Sequence, residues 1–511
     1  MYGPVAPASD ALDKATTSLA ARYGTFVCED LNVAGTTTNR RLTADGYDFV
    51  VVASRLPVDR VEDTADKTGW RHSPGGLVTA LEPIMRKMDG AWIGWPGDAG
   101  PAPEPFEESG IHLVGIGLSA EEVRDFYEGM CNATLWPLYH DVIAPPAFRR
   151  PWWDAYVTVN QRFAQAAAEQ AAKGATVWVH DYQLQLVPGM LRELRDDLRI
   201  GFFNHIPFPG YEIFAQLPWR RRIVEGLLGA DLLGFQRQAD ATNFLRAARR
   251  AAGLPTKGSV VHAGARDVRA ASFPIAIDAA ALAEIARRED VKERAREIRQ
   301  LLGQPERVLL GIDRLDYTKG IRHRLKAYGE LRREGRLGPE TVLIQVASPS
   351  RERVEQYRLL RDEVEVIVGR INGEFGELGN PPINYLHQSF PRDEMAALYL
   401  AGDVMLVTPL RDGMNLVAKE YVACRNDESG ALVLSEFTGA ADELNGAFLV
   451  NPHDIDGMKD AIIRAATVSP REARRRMRVM RRRVFDYDVA HWATSFLDTL
   501  REVPEPVPGR A

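Results

Sequence analysis

Cysteine is scarce in this chain, and its distribution limits what can hold the fold together. The three cysteines among the 511 residues, Cys28, Cys131 and Cys424, lie far apart and lack the short spacing of metal ligands. Such usage is typical of proteins from a reducing compartment. We therefore expect a cytoplasmic protein.

Long apolar runs and an excess of basic residues are also missing. No run approaches the roughly 18–20 apolar residues of a membrane-spanning helix. The first residues, MYGPVAPASDALDK, lack the basic and apolar regions of a signal peptide. The net charge of −6 argues against nucleic-acid binding, which usually requires a basic surface. We expect neither a membrane nor a nucleic acid as a partner.

What the chain has instead is a globular composition and more residues than one core holds. It is 45% hydrophobic and 26% charged, as folded domains are, and its length predicts two domains. Residues 1–45 and 503–511 lack clear periodicity. We predict a poorly ordered N-terminal extension and a tail there.

Short, continuously apolar runs alternate with helical patterns along the rest of the chain. Such runs are typical of parallel strands buried on both faces, and the alternation predicts an α/β fold. The predicted strands are 47–53, 175–182, 199–208, 230–236, 307–313, 341–348, 383–388, 403–409, 431–436 and 447–452. The predicted helices include 163–173, 321–333, 350–368, 415–423 and 487–501.

The strand and helix pattern restarts near residue 275. This predicts an N-terminal domain over 46–275, a C-terminal domain over 276–485 and a final helix within 486–502. The apolar residues of that helix recur every three or four positions, so it needs a surface to cover. Two doubly wound domains that face each other would form a cleft at the carboxyl ends of their strands, where such sheets bind ligands.

Glycine and polar residues follow several predicted strands of the first half. Gly75 and Gly76 in SPGGLVTAL allow the backbone to approach an anion at a helix start, although a plain glycine turn explains the pair alone. Neither a G-x-G-x-x-G fingerprint nor a P-loop occurs, so dehydrogenases and P-loop NTPases lose support. Asp181 and His205 end two strands and are expected in the same cleft, although such a histidine can also be an ordinary core residue.

Cations follow the strands of the second half. Arg314 and Lys319 in GIDRLDYTKGI flank a turn and suit a diphosphate. A surface ion pair with Asp313 or Asp316 is the alternative. Arg351 is predicted in the first turn of a helix, where a cation is disfavoured unless an anion lies nearby.

The stretch from residue 403 to 423 contains VMLVTPLRDGMNLVAKEY and is predicted as strand, turn and helix. The N–H groups of Asn415 and Leu416 would face a phosphate at the helix N-terminus. Asp412, which a diphosphate repels, would reach sugar hydroxyls, and Glu420 would accept from ribose hydroxyls. Acidic capping of a helix is the alternative. The combined set describes a nucleotide-sugar site with a phosphorylated partner.

Taken together, the motifs resemble those of the trehalose-6-phosphate synthase family, glycosyltransferases that join glucose from a nucleotide sugar to glucose 6-phosphate. The resemblance runs over nearly all of residues 47–500. It is carried by SRLPV, SPGGLVTAL, GAWIGWPG, NATLWPLYH, HDYQL, HIPFP, DRLDYTKG, SPSRERV, GRINGEFGELG, TPLRDGMNLVAKEY and LSEFTGAADEL. It implies a GT-B fold of two Rossmann-like domains, with the C-terminal helix crossing back to the first.

The resemblance also implies roles for individual residues. Glucose 6-phosphate, the acceptor, would be held by Arg55, Trp95, Tyr127, Trp136, Asp181 and Arg351. The donor would be held by Gly76, Arg314, Lys319, Asp412, Met414, Asn415, Leu416 and Glu420. Arg392, in SFPRDEM, is a further candidate for the region that binds the base. His205 would contact the donor glucose near the reacting carbon, so the predicted catalytic residues are His205, Arg314, Lys319 and Asp412.

The family works with retention of anomeric configuration, usually assigned to a front-face mechanism in which the leaving diphosphate takes the acceptor proton. Arg314, Lys319 and the helix N-terminus would stabilise the charge on that diphosphate, so we expect no metal and no other cofactor. The DID sequence at 454–456 is interpreted as structural. A D-x-D-x-[TV] phosphatase motif is missing, and the product is expected to keep its phosphate.

Some positions depart from the family pattern. Ser54 stands where the family usually has asparagine, and Asn204 stands where an apolar residue is more usual. Gly210 and Tyr211 follow HIPFP in place of threonine or proline. These departures concern the acceptor side, whereas Arg314 and the stretch over 407–421 are intact.

Three other interpretations stay open at this point. Another phosphorylated acceptor, such as glycerol 3-phosphate, would give glucosylglycerol phosphate, although the aromatic residues favour a sugar ring. A catalytically silent regulatory subunit should have lost Arg314, Lys319 or Glu420, and none is lost. The basic sequence over 471–485 has interleaved apolar residues, which favour an amphipathic helix over a nucleic-acid site.

The donor can be UDP-, ADP- or GDP-glucose, and a homo-oligomer is a family expectation.

Overall fold

The structure, a computed structural model, describes residues 46–62, 68–72, 78, 81, 82, 85, 86, 88 and 90–503. Gly76, the N-terminal extension predicted over 1–45 and the predicted tail beyond Val503 lie outside them.

The described strands are, in chain order, β1 Tyr47–Arg55, β2 Val58–Glu62, β3 Thr68–His72, β4 Ala91–Trp95, β5 Phe106–Glu108, β6 Ile111–Gly115, β7 Ala171–His180, β8 Arg199–Asn204, β9 Leu232–Phe235, β10 Thr256–Lys257, β11 Val260–Ala263, β12 Arg266–Ser272, β13 Arg307–Arg314, β14 Thr341–Ser348, β15 Ile383–Leu386, β16 Val404–Val407, β17 Ala431–Ser435 and β18 Phe448–Val450.

These strands form two large sheets and one small ribbon. The first sheet has ten strands in the order β10-β11-β12-β9-β8-β7-β1-β4-β6-β5, with antiparallel pairs at its edges and parallel pairs between them. The second has six parallel strands in the order β15-β14-β13-β16-β17-β18. The ribbon pairs β2 with β3. We call the first sheet with its helices the first lobe and the second sheet with its helices the second lobe.

Helices cover both faces of the sheets. Along β1, Val50 and Val52 join one buried apolar layer, whereas Phe49 and Val51 join the other, as a parallel strand buried on both sides requires. The longer described helices are Arg150–Gln170, Val187–Leu194, Arg220–Leu227, Gln238–Ala251, Ala279–Arg287, Glu289–Leu301, Ile321–Arg333, Glu355–Phe375, Arg392–Ala401, Leu416–Cys424, Ile455–Ala466, Pro470–Asp486 and Val489–Glu502. A continuous helical segment over 120–139 includes a π-helical stretch, Val123–Leu135.

The predicted α/β alternation is confirmed, and the bounds of 321–333 and 341–348 agree with the structure. The helix predicted over 163–173 ends instead at Gln170, because Ala171 begins β7 and pairs with Tyr47 of β1. Sheet pairing here overrides the helix propensity of alanine. The strand predicted over 199–208 ends at Asn204, whose Nδ2 donates to the carbonyl of Ile206 at 2.6 Å and closes a turn.

The position predicted for Arg351 is wrong. The helix predicted over 350–368 runs from Glu355 to Phe375, which leaves Arg351 in the preceding loop with a left-handed backbone, φ 49°. Its guanidinium turns instead to the carboxylate of Asp316, at 3.0 Å from Nη1. An anion does lie beside Arg351, as expected, but this anion is the Asp316 carboxylate of the protein itself.

The last two helices differ in what they cover. Pro470–Asp486 buries Met477, Met480 and Val484, so the basic segment is the expected amphipathic helix. Val489–Glu502 packs on the first lobe, where Phe496 stacks on Trp178 of β7 with ring centroids 4.5 Å apart. The two sheets lie on either side of the boundary predicted near residue 275, and the domain bounds themselves stay a prediction.

Candidate active site

The predicted site residues follow the carboxyl ends of strands from both sheets. Arg55 and Trp95 end β1 and β4, and Asp181 directly follows β7. Arg314 ends β13 in the second lobe. Ligands bind at these strand ends in open α/β sheets, so the two lobes present their binding edges to one shared cleft.

The lobes approach each other closely at Gly413 and His205. A Cβ atom at Gly413 would lie 2.3 Å from the carbonyl oxygen of His205, so a larger residue would push the lobes apart. Arg411 also crosses the cleft, with Nε 3.2 Å from Asp141 and Nη2 3.7 Å from buried Asp240. The turn over 411–414 is thus fixed against the first lobe on both sides of Asp412.

Backbone strain is concentrated at the cleft. Of the eight described non-glycine residues with positive φ, three are predicted site residues: Asp181 at 75°, Arg351 at 49° and Asn415 at 85°. A fourth, Asp141, is a partner of Arg411. Such conformations persist where the surrounding structure imposes them, which happens most often at functional sites.

The guanidinium of Arg351 lies over the ring of Trp136, in a cage of aromatic and acidic groups. Its central carbon is 3.7 Å from the ring centroid of Trp136. Nη1 donates to Asp316, and Nη2 donates to the Tyr182 hydroxyl at 3.2 Å. Burial opposes ionisation of Asp316, but Arg351 and the neighbouring cations hold its pKa below the usual value. Since Trp136 and Tyr182 come from the first lobe, Arg351 joins the second lobe to the first.

The remaining predicted acceptor residues lie together in the first lobe. The rings of Trp95 and Tyr127 are 5.2 Å apart, and the Arg55 guanidinium lies 5.1 Å from the Trp95 ring. Arg55 also pairs with Asp59 at 2.9 Å. A Cβ at Gly97 would lie 2.1 Å from that guanidinium, so the absence of a side chain there makes room for it. The guanidinium carbon of Arg314, which is exposed, lies 5.5 Å from the ring centroid of Trp136, the other aromatic residue predicted to bind the acceptor.

Asp181 and His205 lie side by side, as predicted. The backbone N–H of His205 donates to Asp181 Oδ1 at 3.0 Å. Burial raises the pKa of Asp181 to about 6 and lowers the pKa of His205 to about 3. At neutral pH the cleft therefore presents an ionised carboxylate that is costly to desolvate and a neutral imidazole that is able to donate or accept a hydrogen bond.

Lys319 and Asp412 form an ion pair on the second-lobe side. Lys319 Nζ lies 2.6 Å from Asp412 Oδ2, and Asn415 Nδ2 donates to the same oxygen at 3.2 Å. Burial opposes ionisation of Asp412, but Lys319 holds its pKa below the usual value. The expected repulsion of Asp412 by a diphosphate is therefore offset by a cation within the protein.

The helix predicted over 415–423 runs from Leu416 to Cys424, with Asn415 as its N-cap. Asn415 Oδ1 accepts from the N–H of Ala418 at 3.1 Å. The N–H groups of Leu416 and Val417 precede the first intrahelical hydrogen bond and point out of the helix end. Met414, buried, lies beside them. This geometry suits an anion at the helix start.

Glu420 lies one turn further along this helix. Its Oε2 accepts from the Tyr399 hydroxyl at 2.6 Å, and burial raises its pKa. The same pKa is held down by the charge of Arg392, the first residue of the helix Arg392–Ala401. Arg392 is exposed, so this candidate for the base region lies beside the predicted ribose residue.

Sequence reasoning missed three residues that shape the site, His140, His180 and Arg411, and it considered Asp316 only for a surface ion pair. All four stand inside quoted motifs. His140, for example, is buried, stacks on Trp136 at 4.2 Å and binds its carbonyl through Nδ1. Burial lowers the pKa of His140 to about 4. Asp316 and Arg411 bind Arg351 and Asp141, which lie far away in the sequence, and local patterns carry no information on such contacts.

The structure gives local explanations for some of the departures from the family pattern. The amide of Asn204 closes the turn that carries His205, and Gly210 begins the short helix Tyr211–Phe214. The hydroxyl of buried Ser54 has no hydrogen-bond partner among the described residues. Nothing in the structure explains a serine there.

The DID sequence caps a helix. Asp454 of the DID sequence caps the helix Ile455–Ala466 through the N–H of Gly457, which confirms its structural interpretation. Within the described ranges, no three His, Cys, Asp or Glu residues cluster as ligands of one metal ion. Among the described helices, none combines the length and apolarity needed to cross a membrane.

Comparison with known proteins places this cleft in a family. A model of glycosyltransferase family 20 matches residues 47–502. The trehalose-6-phosphate synthase of Mycolicibacterium vanbaalenii is 59% identical over 480 residues, which cover 91% of this chain and 98% of that protein. The trehalose-6-phosphate synthase of Mycobacterium bovis is 57% identical over 471 residues, with 89% and 94% covered.

Solved structures agree with the sequence comparison. The UDP-forming α,α-trehalose-phosphate synthase of Burkholderia vietnamiensis superposes with a TM-score of 0.83 at 34% identity, covering 90% of this chain and 97% of that one. The Burkholderia xenovorans enzyme in complex with glucose 6-phosphate gives a TM-score of 0.82 at 34% identity, with 89% and 99% covered. The predicted GT-B fold is confirmed by these structures. The chain belongs to glycosyltransferase family 20 and resembles its trehalose-6-phosphate synthases along nearly the whole family region.

Proposed function

We propose that this glycosyltransferase transfers glucose from a nucleoside-diphosphate glucose to glucose 6-phosphate, with retention, and forms α,α-trehalose 6-phosphate. The observation that carries the proposal is the presence of two charged clusters at the cleft. Arg351 and Trp136 form a cation–aromatic cage, and the Lys319–Asp412 pair lies at the start of the helix Leu416–Cys424. The trehalose-6-phosphate synthases at 57–59% identity support the same activity.

The acceptor would lie among the residues of the first lobe and Arg351. Trp95, Tyr127 and Trp136 offer ring faces to a pyranose, and Asp181 offers a carboxylate to its hydroxyls. Arg55 and Arg351 are the cations nearest to these rings and would bind the phosphate. A solved relative holds glucose 6-phosphate, which supports this acceptor over a phosphate without a sugar ring.

The donor would span the cleft towards the second lobe. Its diphosphate would meet Arg314, Lys319 and the N–H groups at the start of Leu416–Cys424, and Glu420 would accept from the ribose. Positive charge placed there stabilises the leaving diphosphate as the glycosidic bond breaks. Asp412 and His205 would then contact the transferred glucose on either side.

Retention follows if the acceptor hydroxyl attacks on the face from which the diphosphate leaves. The oxygen of the leaving diphosphate would take the acceptor proton, and the new bond would form on the same face. Asp412 is held by Lys319 and Asp181 by the His205 backbone, so these carboxylates are suited to binding hydroxyls. A solved structure of a trehalose-6-phosphate synthase, 34% identical to this chain, comes from a study of glycosyl transfer with retention. We propose that neither a metal nor a cofactor is needed.

UDP-glucose is the first donor to test, because solved relatives at 33–34% identity are described as UDP-forming. The purified full chain is assayed for nucleotide release with UDP-, ADP- and GDP-glucose, each with glucose 6-phosphate, glycerol 3-phosphate or glucose, and with or without a chelator. We expect turnover with glucose 6-phosphate, unaffected by the chelator. Release with glycerol 3-phosphate alone, or with no acceptor, would overturn the proposal. A cytoplasmic location and a homo-oligomer stay parts of the proposal that this assay leaves open.

A further inference from the structure

His180 is a buried histidine in direct contact with His205. It ends β7, immediately before Asp181, and is 0% exposed. Its Nδ1 lies 3.1 Å from His205 Nε2. His205 itself is partly exposed, and since its Nε2 faces His180, its Nδ1 is the ring nitrogen left for the cleft.

An apolar layer encloses this histidine pair. The ring centroids of Trp178 and His180 are 4.7 Å apart, and those of Phe203 and His205 are 4.6 Å apart. Trp492 of the C-terminal helix lies 6.1 Å from His205. Burial lowers the pKa of both histidines, so each ring is neutral at pH 7 and carries one N–H and one lone pair.

Two arrangements of the protons can connect the rings. If His205 Nε2 donates to His180 Nδ1, the proton of His180 lies on its Nε2. That atom is buried and has no hydrogen-bond partner among the described residues. If His180 Nδ1 donates instead, its Nε2 carries a lone pair. Buried N–H groups without a partner are rarer than buried acceptors without one.

The neighbouring indole favours the same arrangement. Trp178 Nε1, in the adjacent ring, is a donor that also has no partner among the described residues. Protonation of His180 Nε2 would add a second unpaired donor to this apolar layer, and a buried donor without a partner destabilises the fold. The arrangement with the proton on His180 Nδ1 leaves one unpaired donor rather than two.

We propose that His180 is a positioning residue that donates from Nδ1 to His205 Nε2 and thereby makes His205 present an Nδ1–H to the cleft. This inference rests on the proposed function for the identity of the group that receives that hydrogen bond, an oxygen of the donor glucose. The backbone of His205 is held by Asp181 and by the close approach of Gly413. His180 adds control of the ring and its tautomer.

The tautomer is measured by nitrogen NMR on the full chain labelled with ¹⁵N at its histidine rings. The signals are assigned by their loss in His180→Asn and His205→Asn. We expect the ring proton of His205 on Nδ1 and that of His180 on Nδ1. A proton on His205 Nε2 would overturn the proposal. This readout needs no turnover, so it is independent of whether the transferase assay succeeds.

Kinetics of two substitutions separate the hydrogen bond from packing. His180→Asn keeps an N–H near the position of Nδ1 and should hold kcat within about threefold of wild type. His180→Phe fills the ring volume without a donor and should lower kcat about tenfold, with little change in KM for glucose 6-phosphate. Equal losses in the two variants would overturn the proposal.

Trp178→Phe is the matched control, because it disturbs the same apolar layer without touching the hydrogen bond. We expect its kcat within about threefold of wild type even where its Tm falls as much as that of His180→Phe. A loss of kcat as large as that in His180→Phe would assign His180 a packing role only. If a His180 variant does not fold, the NMR of the wild-type protein decides the question.

Discussion

Lys319 Nζ and Asp412 Oδ2 lie 2.6 Å apart across 93 residues of sequence, beside the start of the helix Leu416–Cys424. This pair explains how a carboxylate can stand beside a helix start where we propose that a diphosphate binds. Lys319 cancels its charge, and Asn415 binds the same oxygen. We propose that Asp412, held in this way, receives a sugar hydroxyl in addition to shaping the turn.

The first prediction concerns Lys319. Lys319→Met keeps much of the side-chain length, removes the cation from the leaving diphosphate and leaves Asp412 unpaired. We expect kcat to fall about 10²–10³-fold, with KM for glucose 6-phosphate changed less than about threefold. Lys326→Met is the control, since Lys326 is exposed and only loosely paired with Glu330 at 3.9 Å. A wild-type kcat in Lys319→Met would contradict the assignment.

A substitution of Arg351 tests the proposed acceptor site. Arg351→Lys keeps the charge but loses the planar stack on Trp136 and the fork that reaches both Asp316 and Tyr182. We expect KM for glucose 6-phosphate to rise about tenfold or more, measured by initial rates. Arg353→Lys, two residues away and largely exposed, should leave KM unchanged. Equal KM values in the two variants would remove Arg351 from the acceptor site.

Asp181 should reduce stability at neutral pH. Because burial raises the pKa of Asp181 to about 6, the folded protein binds this proton more tightly than the unfolded chain does. The stability gained from proton binding is present at low pH and is lost as pH rises from about 4 through 6. Asp181→Asn removes the cost and suits the positive φ. We expect its Tm to exceed that of wild type by roughly 1–3 °C at pH 7.5, with the difference vanishing near pH 4.

Asp197→Asn provides a control of opposite sign. Arg195 holds the pKa of Asp197 below its usual value, so its ionised form stabilises the fold above about pH 4. This variant should lower Tm at pH 7.5 and lose its effect as pH falls. A Tm of Asp181→Asn below that of wild type at pH 7.5 would show that the Asp181 carboxylate stabilises the fold.

Arg411 tests the contact between the lobes. It is the nearest cation to Asp240, whose pKa burial raises to about 6. Arg411→Ala leaves that carboxylate unpaired. The loss in unfolding free energy should therefore be larger at pH 8 than at pH 5, and the two losses should differ by about 1 kcal/mol or more. Arg478→Ala, which removes a surface pair with Glu428, should show no trend over this range. A loss that is the same at both pH values would contradict the assignment.

Glu420 and Tyr399 test nucleotide binding. Glu420→Ala removes the proposed acceptor of the ribose hydroxyls and should weaken nucleoside-diphosphate binding about tenfold in calorimetry. Tyr399→Phe deletes the hydroxyl that orients Glu420 and should have a smaller effect of the same sign. Unchanged affinity in Glu420→Ala would remove its ribose role.

The fold could be predicted further than the site. β13 and β14 are continuous apolar runs between turn residues, so their bounds were close to those observed. The bounds of β7 were missed because the start of that strand depends on pairing with Tyr47, 124 residues earlier in the chain. Local propensity carries no information on such pairing.

The site residues could be named from motifs, but their partners could not. Motif spacing indicated Asp412, Lys319 and Arg351 individually, whereas their ion pairs join loops from distant strands. His180 looked like the end of an apolar strand, and its contact with His205 depends on the register of β7 and β8. Partners of this kind follow from tertiary packing.

The most direct test of the central claim is the structure of the product. The purified full chain is incubated with ¹³C-labelled nucleotide-glucose, in the three nucleotide forms, and glucose 6-phosphate, and the product is analysed by NMR. We predict a 1,1-linked disaccharide with both anomeric carbons in the α configuration and with its phosphate retained. A β linkage, free trehalose or the absence of any disaccharide with all three donors would contradict the account.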